Sequence, residues 1–441
     1  MNYLPFSRRV GTLILLALVI SSTAYPILLA KPARKIVTIK MVYWPGPEGE
    51  AMSKIVEEWN KYLAEETGVR VKIVFFGRQI FWEKETSILL ARSPEIDIAF
   101  TSTYTIGRYA PYLEPLDKYF ANKTLYPYTL KAYFEAPLNS LRYKGKLYGI
   151  PVDVSLHVLI YRKDLIPKPP ETWDEFFELA KKFTRKYNSN SPTEYGVALH
   201  AMNILYSAMI WHSILESCGG HLFKDKWVPS LTSDAAKKAL EIYAKCIKEG
   251  LAPPECVNWE YPQVNMAFQT GKVAMIIQWN AAIGELTDRK KSPLVWDKVG
   301  VAPIPGIRLP NGEVLHRTYV HVLSLSINKA SKHKVEAFKF LAYLTTTGAM
   351  LKYLLNGGFP PMRTVFALPD AVKRRWEIPV INEILSKYAF PGLNIPEAFA
   401  IYTIMAKYLS AAWSGQMDVD KALKACNDEI YGLLKEKGYY G

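Results

Sequence analysis

Hydrophobic and polar positions alternate between two periods along this chain. An apolar-rich run from Ile36 to Trp44 stops at Pro45-Gly46-Pro47, after which Met52, Ile55, Val56, Trp59 and Leu63 share one helical face until Gly68 ends it. Val69, Val71, Ile73 and Phe75 then recur at period two, as in a strand with one face buried. A helix around Trp82 to Ala91 and a short apolar strand from Ile96 to Phe100 follow. This β-α-β-α-β order predicts a parallel sheet covered by helices on both faces, with ligands collecting beyond the carboxyl ends of the strands.

A second α/β unit begins near Gly149. Val158 to Tyr161 reads as a strand, and Thr172 with Glu175 forms a capping box for a helix running to about Tyr187. Ser233 caps a further helix that Gly250 ends, and Val273 to Ile277 and Val299 to Ala302 supply more strands. The Pro-rich pieces at Pro167 to Pro170 and Pro303 to Pro310 read as connections, and no internal repeat interrupts the pattern. At 441 residues the chain exceeds what one core usually spans, so two domains are expected.

Charge changes the picture little. The formal net charge of +14 is compatible with nucleic acid or an anionic membrane, but such partners call for a clustered basic stripe. The longest cluster, Lys373 to Arg375, falls on a helix surface, and no nucleic acid partner is expected. The first residues matter more. Arg8 and Arg9 precede an apolar stretch, Leu13 to Ile20, and the small residues Ser22-Thr23-Ala24 suit cleavage after Ala24. Because Val10 to Ala30 is uncharged and long enough to span a bilayer, residues 1–30 fit either a cleaved signal peptide or a retained membrane anchor. Either way the chain from about Ile36 is expected outside the cytoplasm, secreted or tethered to the outer face of the membrane. In that compartment Cys218, Cys246, Cys256 and Cys426 are compatible with disulfides, Cys246 with Cys256 being the preferred pair and Cys426 equally well a buried thiol.

The 11 Trp, 28 Tyr and 18 Phe exceed what core packing requires, so some are expected to line a site. A carbohydrate offers apolar C–H faces and a rim of hydroxyls, and needs flat aromatic platforms beside groups that satisfy hydroxyls once water is gone. Trp44, Thr103, Tyr104 and Asp153 stand at strand ends or beside the first interdomain connection, and Trp279 and Asn280 follow the strand from Val273. Trp44 fits interdomain packing as well as a platform. Trp259 and Tyr319 are placed by their loops alone, and Arg363 fits either a ligand clamp or an exposed arginine.

The run Gly145-Lys146-Leu147-Tyr148-Gly149-Ile150-Pro151-Val152-Asp153, then Leu159 to Leu165 and Pro169 to Phe176, resembles the hinge-and-strand signature of the family 1 extracellular solute-binding proteins, which include maltodextrin-binding proteins. The likeness continues through Phe268 to Met275, Leu325 to Ser331 and Asn394 to Glu397, in family order over nearly all of the chain. The resemblance implies a class II, periplasmic-binding-protein-like α/β fold of two hinged lobes: residues 36–151 plus 327–378, and residues 152–326 plus 379–441. It implies closure around a carbohydrate, a di- or oligosaccharide, and delivery to the permease subunits of an ABC importer by a monomer without a cofactor. It also implies that Trp279 is a stacking tryptophan and that Trp211 and Tyr402 occupy positions carrying aromatics against ligand, although helix core suits both equally well. The chain departs from the maltodextrin binders in having Trp44-Pro45-Gly46-Pro47-Glu48 where they carry an acidic and basic pair. Their acidic residue after the first hinge aligns nearer Ser155 than Asp153.

Other ligands known from such a family, glycerol phosphate, a polyamine or iron, remain alternatives, but a phosphate wants a basic or Gly-rich helix N-terminus, which the sequence lacks. An exported glycoside hydrolase is the competing class; it needs two facing carboxylates, and Asp153 and Glu260 are the available pair. No metal is expected, since the histidines show no ligand spacing.

Overall fold

The computed structural model describes residues 35–77 and 80–440, so the expected signal peptide or anchor lies outside the described residues. Ile36–Gly441 folds as a unit. Its organising feature is a mixed sheet of nine strands among the described residues. In chain order these are β1 (Val37–Tyr43), β2 (Val69–Phe75), β3 (Ile98–Ser102), β4 (Ile150–Arg162), β5 (Tyr195–Ala198), β6 (Val273–Trp279), β7 (Val299–Ala302), β8 (Thr318–Ile327) and β9 (Ala389–Pro391).

Across the sheet the order is β2-β1-β3-β8-β4-β6-β5, with β9 beside β8 and β7 beside β4. Within each half the strands from successive β-α units run parallel, β1 with β2 and β3, and β5 with β6. The two central strands run antiparallel to each other and to the neighbours that join them to each half. The structure therefore has the expected two-lobed α/β architecture, with β4 and β8 as a ribbon crossing between the halves.

One expectation needs correcting here. The apolar run at Val158 is only the far end of β4, which continues from Ile150 through Pro151 and Asp153 without a break. Pro151 is tolerated because the register of the β4 and β8 pair shifts at Leu323/Ser324, opposite it.

The ten helices of nine or more residues among the described residues are α1 (Pro47–Tyr62), α2 (Phe81–Leu90), α3 (Trp173–Lys182), α4 (Leu205–Ser217), α5 (Asp234–Lys248), α6 (Tyr261–Gln269), α7 (Lys334–Leu344), α8 (Thr347–Leu355), α9 (Ala398–Trp413) and α10 (Val419–Glu436). The capping box of Thr172 and Glu175 forms as expected, Ser233 accepts from the amide of Ala236, and Gly250 takes positive φ just past α5, whereas α1 stops at Tyr62 and Gly68 instead caps a short separate helix, Ala64–Thr67. Helix α3 ends at Lys182 instead of near Tyr187, with Phe183 as its C-cap. Helices α7 and α8 pack with β1, β2 and α1, whereas α9 packs on α4, α5 and α10.

The preferred disulfide does not form. All four cysteines are buried free thiols, and the sulfur of Cys256 instead accepts the amide of Leu199 at 3.4 Å. No helix among the described residues is long and apolar enough to cross a membrane.

Candidate ligand-binding cleft

Directly opposed residues of an antiparallel pair put their side chains on the same face. In the crossing ribbon Leu323 opposes Asp153 and His321 opposes Ser155. These four side chains form the floor of a cavity of about 710 Å³, within the ~300–1,000 Å³ of ordinary small-molecule sites. Being on alternate positions of two strands, they are fixed by the sheet and not by loops.

The wall on the β1–β3 side is aromatic. Trp44, half-buried, follows β1 and packs edge-on to Phe100 at 4.7 Å and Trp82 at 5.7 Å, while its indole N–H donates to Glu48 at 3.1 Å. Tyr104 follows β3, with its ring 5.6 Å from Trp82 and 5.3 Å from His321. On the opposite wall Trp279 is the last residue of β6, two residues beyond the expected end of that strand at Ile277, and its ring lies 4.0 Å from that of His157. Tyr206 on α4 and Tyr261 at the start of α6 complete this wall, and Phe359 and Arg375 reach the cavity from the segment after α8.

Of the residues singled out from sequence, Trp44, Tyr104, Asp153, Trp279 and Asn280 line this cavity. Two of them spend their polar groups on the protein. The amide of Asn280 accepts from Leu156 N–H at 2.9 Å and donates to the carbonyl of Val154, which clamps the end of β6 to β4. The carboxyl of Asp153 accepts from the hydroxyl of Tyr353 at 2.9 Å and the amide of Phe359 at 2.7 Å. Burial first, and then the nearby charge of Glu48, push its pKa up to about 8 in spite of those bonds.

The other six lie elsewhere. Thr103 is buried and accepts the amide of Val322. Trp211 is wholly buried in α4, and Tyr319 and Tyr402 are buried together beside His212, to which Tyr402 is hydrogen-bonded at 2.9 Å. Trp259 is half-buried in core packing, with its carbonyl accepting Met202 N–H. Arg363 is exposed, and its guanidinium lies over the ring of Phe134 at 4.7 Å.

Sequence reasoning missed Glu48, Ser155, His200, Tyr206, Tyr261, His321, Phe359 and Arg375. The signal for Ser155 was present, since it is two positions beyond Asp153 on the same strand. His200 and His321 gave none, because both sit in runs that are apolar on either side. Burial lowers both imidazoles, His200 to about 3 and His321 to about 4, so each is neutral at physiological pH.

Residues 54–380 match the family described as bacterial extracellular solute-binding protein. A maltotriose-binding protein of Pyrococcus abyssi is 27% identical over 341 residues, 75% of this chain and 66% of that protein. A probable amino-acid ABC transporter periplasmic-binding protein of Sinorhizobium fredii is 24% identical over 305 residues, 68% of this chain and 67% of that one. Among solved structures, an ABC transporter solute-binding protein of Agrobacterium vitis with bound D-mannitol superposes with a TM-score of 0.71 at 26% identity, covering 92% of this chain and 100% of that one.

Proposed function

We propose that this chain, which belongs to the bacterial extracellular solute-binding proteins, takes an uncharged sugar or polyol into the cleft over β4 and β8 and presents it to the permease of an ABC importer. A polar floor between two aromatic walls supports this most directly: Ser155 and His321 lie beneath Trp44 and Tyr104 on one side and Trp279 and Tyr261 on the other. Aromatic faces suit sugar C–H surfaces, and neutral polar groups suit hydroxyls.

Apart from exposed Lys291, the charged side chains that line the cleft are engaged by the protein, which favours a neutral solute over a polyamine or an amino acid. Glu285 accepts from Asn265 and Gln269, Glu48 from Trp44, and Arg375 donates to the buried Glu377 at 2.6 Å. Asp153 and Glu260, the pair a glycosidase would need, are likewise engaged, Glu260 in capping α6. Ligand names among relatives include maltotriose and D-mannitol, which agrees with a polyhydroxyl solute without choosing its length.

The lobes on this reading are residues 36–151 plus 327–378 and residues 152–326 plus 379–441. Two of the three chain crossings fall at the same end of the ribbon, where Ile150 pairs with Leu325. Ligand touching both walls favours the closed form. The protein works as a monomer outside the cytoplasm, held to the membrane by no more than its N-terminal segment.

Thermal-shift screening against mono-, di- and oligosaccharides, polyols and amino acids tests this. A ligand at 100 times its dissociation constant adds about 2.7 kcal/mol to native stability. A rise in Tm with one class of sugar or polyol is expected; a rise with amino acids alone, or release of reducing sugar at catalytic rates, overturns the proposal.

A further inference from the structure

Four histidines are buried around the cleft, and three of them bond to the protein through one ring nitrogen, although His157 Nε2 is left unpaired. His157 meets Ser213 at 2.7 Å, His200 meets Gln278 at 3.0 Å and His212 meets Tyr402 at 2.9 Å. His321 differs. Its side chain is only 8% exposed, it lines the cavity, and its Nδ1 has no hydrogen-bond partner. Buried polar atoms are ordinarily paired, and an imidazole that lines a ligand-sized cavity without a hydrogen bond to the protein calls for a partner from outside the chain.

The setting says what kind of partner. His321 lies between the aromatic walls, 5.3 Å from the ring of Tyr104 and 6.0 Å from that of Trp279, which meets it edge-on. Across the ribbon is Ser155, also on the cavity floor, with Cβ atoms of such a pair about 5 Å apart. We propose that His321, with Ser155 opposite it, recognises a hydroxyl pair of the bound solute and makes the cleft selective for uncharged polyhydroxyl ligands. This rests on the cleft being the solute site.

The chemistry fits hydroxyls in particular. A neutral imidazole carries one donor and one acceptor, as a hydroxyl does, whereas an ammonium only donates and a carboxylate only accepts. Burial keeps the ring neutral well below physiological pH, so binding through it is flat across neutrality. A structural role alone predicts an internal partner like those of the other three.

Calorimetric titration of the wild type, His321→Phe and His321→Asn with D-mannitol, maltose and maltotriose tests the proposal. The expectation is that the wild type binds at least one of them and that His321→Phe binds it roughly ten-fold more weakly, equivalent to 1.4 kcal/mol. The Tm of ligand-free His321→Phe should be unchanged or raised, since an orphaned polar atom is gone. Part of the affinity should return in His321→Asn. Imidazole ¹⁵N resonances of the wild type give a reading that needs no folded variant, and the His321 signals should shift on saturation. Equal binding by wild type and His321→Phe, or unmoved His321 signals in the saturated protein, overturns the role of His321 and leaves the proposed function standing. No binding by the wild type of these three or of any other sugar or polyol in the thermal-shift panel overturns both.

Discussion

Tyr353 donates its hydroxyl to the carboxyl of Asp153 at 2.9 Å, and together with the amide of Phe359 this bond ties the end of α8 and the loop after it to the crossing ribbon. The approach is tight, for a Cβ on Gly358 would lie 2.0 Å from the ring of Tyr353. Asp153 thus serves the hinge region first, although its side chain also reaches the cavity.

Its ionisation gives a sign that can be measured. The folded-state pKa, about 8, stands above the 3.8 of the unfolded chain, so between those values the folded state holds a proton that the unfolded state has lost. Stability from this group therefore falls as pH rises through that window. Asp153→Asn keeps an acceptor for both donors and does not ionise. Its Tm should exceed that of the wild type by a margin that grows from pH 4 to 8, followed by calorimetry. A margin independent of pH would mean that Asp153 is ionised in the folded protein.

The buried histidines act in the opposite sense. Their folded-state values lie below the ordinary 6.5, to about 3 for His200 and about 4 for His321, with His157 and His212 also lowered by burial. The unfolded chain takes up protons first as pH falls below 6.5, so stability is lost on acidification from there toward pH 4. Each contributes up to ~1.4 kcal/mol per pH unit. Asp153 and Glu85, both raised, offset part of this, leaving a net loss. Urea midpoints should drop between pH 6.5 and 5, before most carboxylates titrate, and His321→Phe should soften the slope.

Four buried thiols in an exported chain make a third expectation. Burial pushes Cys218 and Cys256 up to about 12 and raises Cys246 and Cys426 as well, so none is a ready thiolate. A thiol reagent should label the native protein very slowly and all four cysteines in denaturant. Reducing agent should leave Tm unchanged; a fall of several degrees would reveal a disulfide after all.

The β-α alternation was legible because amphipathic helices such as α5 and the strand alternation in β2 carry their period openly. The crossing ribbon was not, for β8 is buried at every position, and a strand covered on both faces has no alternation to say that His321 and Leu323 look into a cleft. Helix α4 hides its geometry in the same way. Nearly every residue from Ser207 to Ser217 is buried, so nothing in its pattern tells that Trp211 points into core while Tyr206, at its exposed start, reaches the cavity. Aromatic abundance announced a site, and strand ends located Trp44, Tyr104 and Trp279, but the polar residues of the floor emerged only from register.

Trp279 separates platform from core most sharply. It ends β6 at the cavity wall, with 9% of its surface exposed and its ring tilted at 59° to that of His157, 4.0 Å away. If its ring carries a sugar, Trp279→Ala removes an aromatic anchor, which typically costs ~2 kcal/mol or more of binding, roughly 30-fold in affinity. Deleting a core tryptophan instead costs ~3–5 kcal/mol of folding stability. Because the indole also covers His157 and the start of the Asn280 clamp on β4, some loss of Tm is expected alongside the binding defect. Trp279→Phe keeps a flat ring over His157, and should recover most of the stability while recovering affinity only in part. Titration and melting of both variants therefore decide the matter: full affinity in Trp279→Phe and Trp279→Ala alike would return this residue to packing and move the platform to Trp44 and Tyr104.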